Sequence, residues 1–99
     1  MISNGYLHDI RGRLRITHGH TDAELASLIE AARMELILAG VSAEKTQNEG
    51  DHLIASAITA FVKANYGFDT PEADMWRKAF ENVKLKLIMA GQYTTGGSP

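Results

Sequence analysis

The stretch DHLIASAITAFVKAN, residues 51–65, carries the strongest helical pattern in the chain. Its apolar side chains recur every three or four residues, which places them on one face of a helix. Asp51 suits the amino end, where a carboxylate can cap the helix and complement its partial positive charge. The pattern predicts a core helix over about residues 51–66. Its apolar face would hold Leu53, Ile54, Ala57, Ile58, Phe61 and Val62.

Three further segments show helical spacing, over about residues 5–14, 22–39 and 71–90. Gly12 weakens the first of these by about 1 kcal/mol relative to alanine. Gly40 follows the second, where a left-handed cap favours a residue without Cβ. Pro71 suits the first position of the last helix. The polar segment 41–50 is expected to be a loop with at most one extra helical turn, and Asn65 is expected to be a buried polar group.

These segments indicate an all-α fold, a small bundle of three main helices plus a short N-terminal helix, with no sheet. The pattern predicts a single domain over residues 1–93. Residues 94–99, the end of the segment QYTTGGSP, are expected to form a flexible C-terminal tail.

The composition excludes several classes of function. The 99 residues include no cysteine, which rules out disulfides, zinc–thiolate sites and cysteine nucleophiles. A formal charge of −2 argues against a dedicated nucleic-acid binder, whose affinity would come mainly from neutralised phosphates. No apolar run approaches the ~20 residues that span a bilayer, and the start MISNGYLHDI lacks the plan of a signal peptide. We expect a soluble protein without contact with a membrane.

The stretch RITHGHTDAELASLIEAA, residues 15–32, invites a metal-site hypothesis, because His18 and His20 lie beside Asp22 and Glu24. Helical zinc motifs, however, place their histidines four residues apart on one face. Thr21 and Glu24 instead form a T-x-x-E capping box, in which each side chain accepts from the other residue's backbone N–H. We therefore favour a helix start over a metal site.

No pattern in the chain indicates catalysis. No G-x-S-x-G motif occurs, and the serines lack an evident neighbouring base. The glycine-rich TTGGSP has neither a preceding strand nor a following helix, so phosphate-loop and dinucleotide sites are not indicated. We expect no enzyme activity, no cofactor and no metal.

The order of the segments resembles the head–tail connector family of tailed phages, also known as DNA-packaging or head-completion proteins. LHDIRGRLRI, the polar turn THGHTD and AELASLIEAARMELILAG resemble the first half of such proteins. The second half, DHLIASAITAFVKANYGFDTPEADMWRKAFENVKLKLIMAGQY, looks like their remaining helices. The resemblance covers about residues 7–93.

The resemblance implies a structural protein that forms a ring of about a dozen subunits, closed by head-to-tail contacts. Such a ring lies beneath the portal protein, extends the DNA channel, helps retain packaged DNA and offers a docking surface to the next connector or tail-completion protein. Contact with DNA would be passing and without sequence specificity. The implied location is the virion, at the head–tail junction, or a prophage, with assembly in the host cytoplasm.

Two groups of residues are candidates for contacts between subunits. The carboxyl end of the second helix is apolar on more than one side, as expected for a deeply buried helix or one that contacts a partner. We predict interface roles for Met34, Ile37, Leu38 and Val41. Charged contacts with another subunit or the channel are predicted for Arg11, Arg13 and Arg15. The alternatives for the arginines are a solvated face, pairing with a neighbour's carboxylates, or contact with nucleic acid or an acidic partner surface. The alternative for the whole chain is a small helical DNA-binding or regulatory module.

Overall fold

A computed structural model of the chain describes residues 2–14, 21–65 and 71–94. This part of the chain forms five α-helices and a 3-10 helix. It contains no strand, only an isolated bridge between Val41 and Thr94, so the all-α prediction is confirmed. The elements are α1 (Asn4–Leu14), α2 (Asp22–Ala39), α3 (Ala43–Thr46), α4 (His52–Asn65), α5 (Pro71–Met89) and the 3-10 helix Gly91–Tyr93.

Helix α4 lies at the centre and packs against α1, α2 and α5. Ile54, Ile58 and Val62 are completely buried, as the apolar stripe predicted, whereas Leu53, which was assigned to the same face, is 44% exposed. Alanines occupy much of the rest of its surface and are buried as well. A helix that is apolar nearly all round belongs inside a core. Because the alanine side chains are small, other helices pack against more than one face of α4.

Helices α4 and α5 run antiparallel. Near the end of α4, the Phe61 ring meets the Phe80 ring edge-on, with centroids 5.3 Å apart. At the opposite end, the Tyr93 hydroxyl, just beyond α5, donates to Asp51 Oδ2 at 2.8 Å.

The expectation of a buried Asn65 is wrong: this residue is exposed at the end of α4, and its Nδ2 donates to the carbonyl oxygen of Phe61.

Helices α1 and α2 form an antiparallel hairpin. Arg11 near the end of α1 pairs with Asp22 at the start of α2, with Nη2 2.7 Å from Oδ1. Tyr6, one turn into α1, lies beneath Arg33 near the other end of α2, 5.6 Å from ring centroid to guanidinium carbon. The inner face of this hairpin contributes Ile10, Leu14, Leu25, Ile29 and Leu36 to the core.

The predicted helix ends are confirmed at three positions. The Glu24 N–H donates to Thr21 Oγ1 at 3.1 Å, and the Thr21 N–H donates to Glu24 Oε1 at 2.9 Å, which completes the capping box. Gly40 has a φ of 116° and ends α2 in the left-handed conformation. Asp51 Oδ1 accepts from the Ile54 N–H and caps α4.

Thr94 is the last described residue, and it makes a backbone contact with the loop after α2. Thr94, which the sequence analysis placed in a flexible tail, pairs with Val41 in the isolated bridge. The adjacent Tyr93 is buried, and its carbonyl oxygen accepts from the Ser42 N–H at 2.8 Å. These contacts fasten the end of α5 to the loop after α2, and they rest on long-range pairing that a local pattern does not reveal. Residues 95–99 lie outside the described residues.

Candidate functional site

The outer face of α2 carries exposed apolar side chains directly opposite its buried face. Leu38 is 74% exposed and Met34 is 54% exposed. With Ser27 and Ala31, which are also exposed, they recur at intervals of three and four residues and form one stripe. We call Ser27, Ala31, Met34 and Leu38 the outer stripe. Leu85 and Met89 on α5 are exposed to a similar degree, at 52% and 76%, so the outer stripe is one of at least two exposed apolar surfaces in the described residues. Contiguous exposed apolar patches are candidates for contact with another molecule.

Two of the four predicted apolar interface residues lie elsewhere. Ile37 is half-buried at the edge of α2. Val41 is 1% exposed and belongs to the core, where it packs near Tyr93 and pairs with Thr94. Its side chain is therefore not available to a second subunit. Its apolar character is explained by burial within its own chain.

Carboxylates flank the outer stripe on both sides. Glu30 and Glu35 are both exposed, and helical geometry places one on each side of Met34. Glu30 Oε1 lies 3.3 Å from Arg33 Nη1. The surface of α2 is therefore an apolar stripe with acidic margins.

The predicted arginines have different surroundings. Arg11 is half-buried and joins the α1–α2 hairpin through Asp22. Arg13 contacts Asp9 one turn earlier, at 3.4 Å from Nε to Oδ2, and its Nη2 lies 3.5 Å from His52 Nδ1. Arg15 lies outside the described residues. Arg13 lines a groove next to α4, and Arg11 lines a smaller concavity between α1 and the start of α2.

That groove lies between α1, α4 and α5 and encloses about 720 Å³. Its walls include the aromatic ring of Trp76, the hydroxyls of Ser56 and Thr59, and charged side chains, so they are not uniformly apolar. Lys63 Nζ lies 4.1 Å from the centroid of the Trp76 ring, a cation–π contact at the α5 side. The lining residues are His8, Asp9, Gly12, Arg13, Ser56, Thr59 and Trp76.

Sequence reasoning missed this groove because its walls come from three separated segments. A weak signal exists in the sequence, since Ser56 and Thr59 are polar positions on an otherwise apolar helix.

Arg33 is a buried cation that the sequence analysis did not single out. Its side chain is only 4% exposed, and its Nη2 lies 3.9 Å from Glu49 Oε2. Burial raises the pKa of the neighbouring Tyr6 hydroxyl, and the Arg33 charge partly opposes that shift. The spacing of Arg33 from Ile29 and Leu36 places it on the buried face of α2, which is the signal that was available.

Among the described residues, no three His, Asp or Glu side chains converge as metal ligands would. His18 and His20, on which the metal hypothesis depends, lie outside the described residues. The two carboxylates of the metal hypothesis have other partners. Glu24 completes the capping box of α2, and Asp22 pairs with Arg11.

In the described parts of the chain, no helix has the length and apolar character that a bilayer crossing requires. A family model described as phage connector protein matches residues 6–94. Neither a curated protein nor a solved structure matches the chain. The matched range takes in every described helix apart from the first residues of α1, and the chain therefore belongs to the phage connector protein family.

Proposed function

We propose that this protein is a structural head–tail adaptor whose copies close into a ring beneath the portal. The ring would extend the DNA channel, help retain packaged DNA and present a docking surface to the next connector or tail-completion protein. Family membership supports the connector role. The observation that carries the assembly step is the outer stripe of α2, where Met34 and Leu38 remain in water.

A closed ring needs a heterologous contact, in which one surface of each copy meets a different surface of the next. A 99-residue domain also buries a modest fraction of its surface by itself, so burial against copies adds stability. The alternative of a DNA-binding module receives less support, because the formal charge is −2 and both margins of the outer stripe are acidic.

Sedimentation and native mass measurement test the assembly, with the protein alone at high concentration and with the cognate portal protein. We expect a closed oligomer in one or both conditions. Leu38→Glu should abolish it, because a charge placed on the stripe would have to be desolvated at the contact. Met89→Glu is the matched control, since Met89 on α5 is 76% exposed and Leu38 is 74% exposed.

A protein that stays monomeric at high concentration and does not bind the portal would overturn the proposed ring. Equal loss of assembly in both variants would remove the outer stripe as its basis. Duplex DNA binding that weakens steeply as salt rises would favour the DNA-binding alternative.

A further inference from the structure

We propose that the groove between α1, α4 and α5 receives the outer stripe of α2 from the next copy of the chain. This inference rests on the proposed ring and specifies the two surfaces that meet in it. The partner is a second copy, and the contact is heterologous, so every subunit uses one groove and one stripe.

The groove offers an aromatic surface with open space beside it. It presents the half-buried Trp76 ring, and Gly12 contributes no side chain to the opposite wall. A Cβ added at Gly12 would meet no atom within 4 Å, so the groove is open at that point. An aromatic ring beside open space suits unbranched and γ-branched apolar side chains, such as those of Met34 and Leu38, because these bury much area with few polar atoms.

The groove and the outer stripe differ in the charges that they carry. Among the residues that line the groove, Arg13 and Asp9 pair with each other, and Lys63, which lies against the Trp76 ring beside the groove, adds a further cation. The outer stripe carries Glu30 and Glu35 along its margins. Docking the stripe into the groove brings the two carboxylates toward the two cations. Such complementarity selects the partner surface and fixes its register.

Two facts about Arg13 agree with this arrangement. Its contact with Asp9 is 3.4 Å long and lies at an exposed i, i+4 position, and exposed pairs of this kind hold their partners weakly. The guanidinium can therefore exchange Asp9 for a carboxylate of the neighbouring subunit at little cost. The Arg13 side chain also keeps 33% of its surface exposed beside the exposed His52 ring, so a neighbouring copy can reach it.

Self-pairing of the outer stripe is disfavoured by the same charges. Two copies joined stripe to stripe would place Glu30 and Glu35 of one copy against the acidic margins of the other. Like charges facing each other oppose association. A symmetric dimer of this kind would also close on itself and could not continue into a ring.

The first experiment is site-specific cross-linking, which the absence of cysteine makes unambiguous. Leu38→Cys marks the stripe, and Ser56→Cys marks the groove, since Ser56 is exposed there. A flexible bis-maleimide joins thiols that approach each other. A mixture of the two single variants should give dimers that contain one copy of each. The variant with both cysteines should give a ladder of higher oligomers or a closed ring.

The second experiment exchanges charges between the surfaces. Arg13→Glu and Glu35→Arg should each weaken self-association roughly tenfold or more, because like charges then meet at the contact. Mixing the two variants should restore assembly, since alternating copies pair Glu with Arg at one contact and Arg with Glu at the next. Lys86→Glu, an exposed charge reversal on α5, is the control and should assemble as the wild type does.

Three results would overturn the proposed contact even if the protein assembles. One is cross-linking of Leu38→Cys with itself, which indicates a symmetric contact. Another is an oligomer by native mass without any cross-link between positions 38 and 56, which leaves the ring standing and rejects this contact. The last is a charge-exchanged mixture that assembles no better than its components. An absence of oligomers both with and without portal would reject the ring itself, and this contact with it.

Discussion

Gly12 and Gly40 differ in backbone conformation, although the first lies within a helix and the second ends one. Of these two, only Gly40 has a positive φ. Gly12 sits within α1, and a Cβ there would meet nothing within 4 Å. Gly40 ends α2 with a φ of 116°, a conformation that disfavours every side chain. We expect Gly12→Ala to raise the free energy of unfolding by about 0.5–1 kcal/mol, and Gly40→Ala to lower it by about 1–2 kcal/mol. Urea unfolding followed by circular dichroism measures both changes in the free energy of unfolding. Changes of the same sign would contradict the proposed difference between Gly12 and Gly40.

Glu49 makes the fold sensitive to acid. The Ser3 hydroxyl and the Ser3 N–H both donate to its carboxylate, at 2.5 Å and 3.0 Å. These hydrogen bonds, with a smaller contribution from the Arg33 charge, hold the pKa of Glu49 below its ordinary value of 4.5. Because the folded pKa is the lower one, the stabilisation is complete above the ordinary value and is lost as pH falls through the folded pKa.

Glu49→Gln should therefore lower the free energy of unfolding at neutral pH and matter progressively less in acid. Urea unfolding at pH 7 and at about pH 3 measures the difference between wild type and variant. Glu44→Gln, an exposed carboxylate on α3, is the matched control. A difference between wild type and Glu49→Gln that stays constant over this range would show that the carboxylate charge is not responsible.

At the scale of the element, the amino end of α2 depends on two side chains that act as a pair. Thr21 and Glu24 each accept a hydrogen bond from the backbone of the other. We expect Thr21→Ala and Glu24→Ala each to cost about 0.5–2 kcal/mol. The double variant should cost less than the sum, because either substitution alone already disrupts the box. Thermal and urea unfolding of all four proteins form the cycle, with the exposed Ser27→Ala as control. Strictly additive losses would mean that the two residues act independently.

Helices and their ends were predictable here because they depend on residues close in sequence. The capping box spans four positions, and the glycine cap requires only its own backbone. The apolar periodicity of α4 identified its buried positions Ile54, Ile58 and Val62. The outer stripe was partly predictable for the same reason, since Met34 and Leu38 lie off the buried face.

At the scale of the whole molecule, the groove and the bridge between Val41 and Thr94 escaped prediction because each joins segments far apart in the chain. The groove joins residue 13 of α1 to residues 56 and 76 of α4 and α5. The bridge that orders Thr94 joins it to Val41, more than fifty residues earlier. Burial of Val41 follows from the same pairing. Local patterns define which face of a helix is apolar, and only the packing of the bundle decides whether another helix or another molecule covers it.

Trp76 provides an optical report of assembly, because it is the single tryptophan of the chain and it lines the groove. It is half-buried in the isolated subunit, with Lys63 against its ring. If a second copy fills the groove, water leaves the exposed part of the ring, and its emission maximum should move to shorter wavelength as protein concentration rises. Salt should reverse the shift, since the flanking contacts of Arg13 and Lys63 with carboxylates are screened.

The Leu38→Glu protein is the decisive comparison for this measurement, because its substitution lies on α2, outside the residues that line the groove. Its emission should keep the value of the dilute wild type at every concentration, while Met89→Glu should follow the wild type. An equal shift in Leu38→Glu would mean that Trp76 responds to something other than the outer stripe. A shift in wild type that is absent in Leu38→Glu would link the two surfaces across subunits, since one side chain belongs to each copy.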